Sequence, residues 1–107
     1  MSEVISGLVE EAAEKLRIKS ATLKPIGGRV LLDCGEQKIL IDGTDNQIQV
    51  SVVGQAEADC RVRLKAQLLN DILDGRRKAF MAFATGKIGI SGDMSVAIKL
   101  QPILSGN

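Results

Sequence analysis

Apolar residues recur at helical spacing from the start of the chain. Val4, Ile5, Leu8, Val9, Ala12, Ala13 and Leu16 fall on one side of residues 3 to 16, and Glu3, Glu10, Glu11, Glu14 and Lys15 on the other. This predicts an amphipathic helix resting on an apolar surface, with Ser2 placed to cap it. Residues 17 to 28 carry a mixed signal, because Ala21 and Leu23 suggest a strand that Pro25, Gly27 and Gly28 interrupt. Beyond them the period drops to two. Val30, Leu32 and Cys34 share a face, Gly35-Glu36 reads as a Gly-first hairpin turn, and Ile39 and Ile41 continue in a second strand.

Asp42 to Asn46 form a dense turn signal, after which Ile48, Val50 and Val52 alternate with polar neighbours as a third strand. A loop around Gly54 to Glu57 leads into a fourth strand, where Cys60, Val62 and Leu64 face one way and Asp59, Arg61, Arg63 and Lys65 the other. That charged face reads as a solvated sheet surface, balanced by Asp33, Asp42 and Asp59, rather than as a phosphate-binding stripe.

Residues 66 to 73 return to helical spacing through Leu68, Leu69, Ile72 and Leu73, and Gly75 is placed to end that helix in a left-handed cap. A short helix over about 76 to 85 follows, apolar on nearly every side, and stops at Gly86. A helix so short and so apolar must be enclosed, by protein or by a ligand. Arg76, Arg77 and Lys78 at its start gain nothing from the helix dipole, so they are read as solvated or as partners of a lipid head group or membrane phosphate. Residues 87 to 91 form a fifth strand with Ile88 and Ile90 turned inward. Asp93 caps a last helix bearing Met94, Ala97, Ile98, Leu100 and Leu104. Residues 73 to 104 thus hold both phenylalanines, two of three methionines and four of eleven glycines, an apolar run without catalytic side chains.

Length and charge narrow the partners. A chain of 107 residues makes a single domain over 1–107 with one core. With 14 basic and 13 acidic residues its net charge is +1, which gives no global field for nucleic acid. Absence of His, Trp and Tyr removes the usual neutral-pH base and the commonest metal ligand. Cys34 and Cys60 lack redox or zinc spacing and read as core thiols of a reducing compartment. No run nears the ~20 apolar residues of a membrane span, and the acidic start is unlike a signal peptide, so a soluble cytoplasmic protein is expected. A catalytic reading built on Asp93 with Cys60 as nucleophile fails, because Asp93 is explained by capping and Cys60 lacks a base. No enzyme, cofactor or metal is expected.

The motifs from the fourth strand onward resemble the sterol carrier protein 2 family of lipid-binding domains. Its pattern of an Asp-Cys strand, a helix ending in Gly, Ala-Phe-Met-Ser-Gly-Lys, Lys-Ile-x-Gly-Asp-Met and Leu-Ala-x-Lys-Leu has counterparts in order. They are Asp59-Cys60-Arg61-Val62, Gly75, Ala82-Phe83-Ala84-Thr85-Gly86-Lys87, Ile88 to Met94 and Val96-Ala97-Ile98-Lys99-Leu100; Ile41-Asp42-Gly43 adds a turn common in small bacterial members. The similarity covers most of residues 30 to 104. Ala79 stands where the family often has proline, Ala84 where it has a bulky methionine, and the second-strand aromatics are missing.

The resemblance implies an α+β fold, a five-stranded mostly antiparallel sheet with one parallel pair and helices on one face. It also implies an apolar tunnel for sterols, fatty acyl chains, acyl-CoA, phospholipids or isoprenoid quinones, with no covalent chemistry. Taking a lipid chain from a bilayer exposes apolar surface at about 0.8 kcal/mol per CH2, so a carrier must offer a second apolar environment. Helix and strand phase assign that lining to Val62, Leu64, Phe80, Met81, Phe83, Ile88, Ile90, Met94, Ala97, Leu100 and Leu104. Ala82, Ala84, Ala97 and Gly89 leave room that larger residues would fill. The rival is a closed core, in which case the domain is a dimerisation or accessory module that presents lipid to, or scaffolds, a lipid-metabolising enzyme. A transient membrane contact and a homodimer through an exposed sheet edge stay open as further partners.

Overall fold

A computed structural model describes residues 2–21, 27–44 and 47–104. Four helices and five strands follow one another as α1 (Ser2–Ser20), β1 (Arg29–Asp33), β2 (Lys38–Asp42), β3 (Gln49–Val53), β4 (Cys60–Arg63), α2 (Ala66–Leu73), α3 (Ala79–Ala84), β5 (Gly89–Gly92) and α4 (Met94–Leu104). The strands form one sheet in the order β3-β2-β1-β4-β5, parallel only where β1 meets β4. This is the expected α+β architecture. The side chains of Ser2, Val4 and Ile5, the stretch from Leu23 through Pro25, and Asp45-Asn46 lie outside the described residues.

Period-two alternation becomes two apolar rows across the sheet. Val50, Ile41, Val30 and Cys60 align in one, ending at Gly92, and Val52, Ile39, Leu32, Val62 and Ile90 in the next. Val9, Ala12, Ala13 and Leu16 of α1 are fully buried over this face. The opposite face carries the charges, and Asp33 lies 3.9 Å from Lys38 and 3.7 Å from Arg61, with Arg29 3.2 Å from Asp42. Asp59 acts differently from the sequence expectation. Its carboxylate accepts from the Arg29 N–H at 2.8 Å and its carbonyl from the Asp93 N–H at 2.7 Å, so it ties β1, β4 and the start of α4 together. Gly92, at φ +97°, is required there, because a Cβ would run into the Asp59 carbonyl.

Several boundaries differ from the pattern. α1 continues to Ser20, whose hydroxyl donates to the Arg17 carbonyl while the Arg17 guanidinium donates to the Val50 carbonyl and pins the extra turn to β3. The first hairpin closes through four residues, 34–37, since Asp33 pairs with Lys38; Cys34 therefore leaves the strand. Asp33 accepts from the Gly35 N–H and the Lys38 ammonium donates to the Gly35 carbonyl at 2.7 Å, which secures the longer loop. α3 starts at Ala79, not at residue 76. The N–H groups of Arg76 and Arg77 both donate to the Asp71 carbonyl, at 2.8 and 3.2 Å, and hold that segment to the end of α2, so Lys78 enters α3 from an extended backbone.

Between α1 and α2 the sequence offered no warning of a buried polar link. Asn70 is 3% exposed; its amide donates to the Leu8 and Ala66 carbonyls and accepts from the Lys15 ammonium, which also pairs with Asp74 at 2.8 Å.

Candidate functional site

The last third of the chain builds a cleft. α2 ends where the Gly75 N–H donates to Ile72 and the Arg76 N–H to Asp71, and α3 ends the same way through Gly86 onto Phe83 and Lys87 onto Ala82. Both glycines sit at φ +79°, the left-handed turn such caps need. Between the two caps α3 turns so that Phe80 and Phe83 face the same space as Val62, Ile88 and Ile90. Asp93 then accepts from the Ser95 N–H at 2.9 Å and its hydroxyl at 2.6 Å, starting α4 directly after β5. These Ser95 bonds hold the Asp93 carboxyl below the usual carboxylate range.

Between these elements lies a space of about 380 Å3. Val62, Ile88 and Ile90 form its floor, Ala79, Phe80 and Phe83 one wall, and Ala97, Leu100, Gln101 and Leu104 the other, with Arg77 and Lys78 at its rim. It stands open. Phe80 is 73% exposed and Phe83 48%, and Ala82 is the buried residue of α3. The expected enclosure of this apolar helix is therefore not supplied by the described chain.

Eight of the eleven lining candidates meet in this cleft: Val62, Phe80, Phe83, Ile88, Ile90, Ala97, Leu100 and Leu104. Three stand apart from its lining. Leu64 is buried in the main core, while Met81 and Met94 are exposed, at 58% and 50%. Met94 and Ile98 lie one helical step outside Ala97 and Gln101, so the apolar stripe of α4 runs from core through cleft onto the surface. Gln101 was missed by sequence reasoning, although its i+4 spacing from Ala97 places it on the same stripe.

The chemistry of the site is that of apolar contact. The Cys60 thiol is buried and its pKa is pushed up, first by that burial and then by the Asp93 and Asp59 carboxylates, which disfavours its thiolate. No described helix is long and apolar enough to cross a membrane.

Comparison with known proteins agrees with this fold. A model of the SCP-2 sterol transfer family matches residues 9–105. Among solved structures, the crystal structure of Sterol Carrier Protein 2 Like 2 from Aedes aegypti has a TM-score of 0.75 at 23% identity, covering 91% of this chain and 96% of that one. The solution structure of the palmitated protein from the same organism gives 0.69 at 23% identity, over 90% and 93%. The ubiquinone synthesis protein UbiJ-SCP2 gives 0.57 at 20% identity, over 97% and 90%. At these identities the likeness is one of fold. Comparison with curated proteins gave no match.

Proposed function

The chain belongs to the SCP-2 sterol transfer family, and we propose that it binds a lipid in the cleft between α3, β5 and α4 and transfers it without covalent chemistry. One observation carries the reading: Phe80 and Phe83 border an apolar space of about 380 Å3 and remain exposed, so a ligand seated there covers apolar surface that the chain leaves bare. That volume lies at the low end of the roughly 300–1,000 Å3 typical of small-molecule sites. It suits one fatty acyl or isoprenoid chain, with sterols and phospholipids reaching beyond the mouth. Loading from a bilayer brings the exposed Phe80, Met81, Met94 and Ile98 into transient membrane contact.

A second reading, presentation of the lipid to a lipid-metabolising enzyme, is supported by the fold likeness to UbiJ-SCP2, a ubiquinone synthesis protein. In that case the same exposed residues meet a protein partner. Native mass spectrometry of delipidated protein mixed with palmitate, cholesterol or a long-chain quinone tests lipid binding. A one-to-one complex with at least one of them is expected; bare protein throughout overturns it.

A further inference from the structure

Beside the apolar cleft lies a second hollow of about 440 Å3, whose lining includes Lys65, Gln67, Asp71, Arg77 and Lys87. Arg77 lines both spaces, so the two adjoin at that residue, and Leu68 and Gly86 complete the lining of the second. Three elements supply the cations. Lys65 immediately precedes α2, Arg77 lies between α2 and α3, and Lys87 follows α3; the backbone N–H groups of Arg77 and Lys87 are held by the Asp71 and Ala82 carbonyls. Their backbone positions are thus fixed at helix ends, with the side chains exposed.

The charge in this hollow is not balanced. Asp71 is its one carboxylate, and it accepts from the Gln67 amide at 3.1 Å and pairs with Arg76 at 3.9 Å. Among the described residues, no carboxylate forms an ion pair with Lys65, Arg77 or Lys87. The wider segment shares the bias, because residues 76–104 hold five cations and one carboxylate in a chain of net charge +1. Lys65, Arg77 and Lys87 are solvent-exposed, and three cations that share a hollow with a single carboxylate favour an anion as their next partner. A phosphate group supplies a charge of about −1.5 to −2 and three acceptor oxygens, and arginine meets it through two parallel N–H donors.

We propose that this hollow is the anion subsite of the protein, holding the phosphate head group of an amphiphile whose chain lies in the adjoining cleft. The chain half of the proposal rests on the lipid-binding reading above; the head half rests on the cations. A neutral sterol leaves the hollow unfilled, and a fatty acid carboxylate fills it with a single charge.

Dodecyl phosphate and dodecanol carry the same chain with and without the head, and calorimetry with both tests the subsite. The wild-type protein is expected to bind dodecyl phosphate at least about tenfold more tightly. A Lys65→Gln, Lys87→Gln variant is expected to lose most of that ratio while keeping its affinity for dodecanol. Lys65 makes no side-chain capping bond to α2, so the change removes charge without uncapping the helix. Equal wild-type affinities, or an unchanged ratio in the variant, overturn the proposal. Inorganic phosphate, followed at the backbone amides of Lys65, Arg77 and Lys87, separates the sources: weak binding that competes with dodecyl phosphate but not dodecanol supports a head-group site. Phosphate binding as tight as that of dodecyl phosphate assigns the hollow to the free anion and overturns the amphiphile. If phosphate shifts these amides while neither alkyl compound binds, the lipid reading has failed and the amphiphile with it. If dodecanol binds and phosphate does nothing, only the subsite has failed.

Discussion

Replacing Phe80 with alanine removes the most exposed large apolar side chain among the described residues, from a wall of the cleft. Full burial of a phenylalanine side chain contributes about 1.5–3 kcal/mol. At 73% exposure, about a quarter of that is realised in the free protein, which leaves about 1–2 kcal/mol for a ligand that covers the ring. The expected loss is therefore about five- to thirtyfold in Kd for a long-chain fatty acid. Stability should barely change, because a solvent-facing substitution stays within about 0.5 kcal/mol, or a Tm shift below about 4 °C. Displacement of a fluorescent fatty acid from wild type and Phe80→Ala, beside thermal unfolding of both, measures the two quantities. Unchanged affinity at unchanged Tm refutes the idea that the ligand covers α3. A Tm loss of about 10 °C refutes it differently, by making Phe80 part of the folded core.

Ala97→Trp should plug the cleft and abolish palmitate uptake in the same displacement assay while the protein stays folded; normal uptake moves the site elsewhere. Asn70→Ala, by removing the buried bonds that tie the Leu8 and Ala66 carbonyls and the Lys15 ammonium together, should cost about 1–3 kcal/mol in chemical denaturation, with lipid affinity untouched because α1 and α2 do not line the cleft. Burial, aided by Asp33, raises the Cys34 thiol to about 11 from 9.0. Folding therefore favours its protonated form, adding stability that is complete below pH 9 and lost as pH rises toward 11. At pH 8 its alkylation by iodoacetamide should be about a hundredfold slower than that of a free thiol with pKa 9.0; comparable rates contradict the buried environment.

Punctuation by glycine was the most legible part of the sequence. Gly75 and Gly86 end their helices in the left-handed conformation because that backbone disfavours other residues, so the signal is local and needs no tertiary knowledge. Alternation located all five strands for the same reason, and even the misplaced hairpin kept its register. Long-range pinning was illegible. The extra turn of α1 depends on Arg17 reaching β3, the late start of α3 depends on the Asp71 carbonyl, and the Asn70 link depends on where α1 passes α2. Phase alone could assign Phe80, Phe83 and Ala97 to one apolar surface. It could not separate Met81 and Met94 from that surface, because α3 is apolar on nearly every side and its phase does not say which side is covered in the fold.

Methyl NMR of delipidated protein titrated with palmitate tests the lipid site most directly. The account predicts saturable shifts gathered on Val62, Ile88, Ile90, Leu100 and Leu104, with Val9, Leu16 and Val50 unmoved. Shifts centred on α1 and β3 instead, or none at saturating palmitate, sterol and quinone, would contradict it.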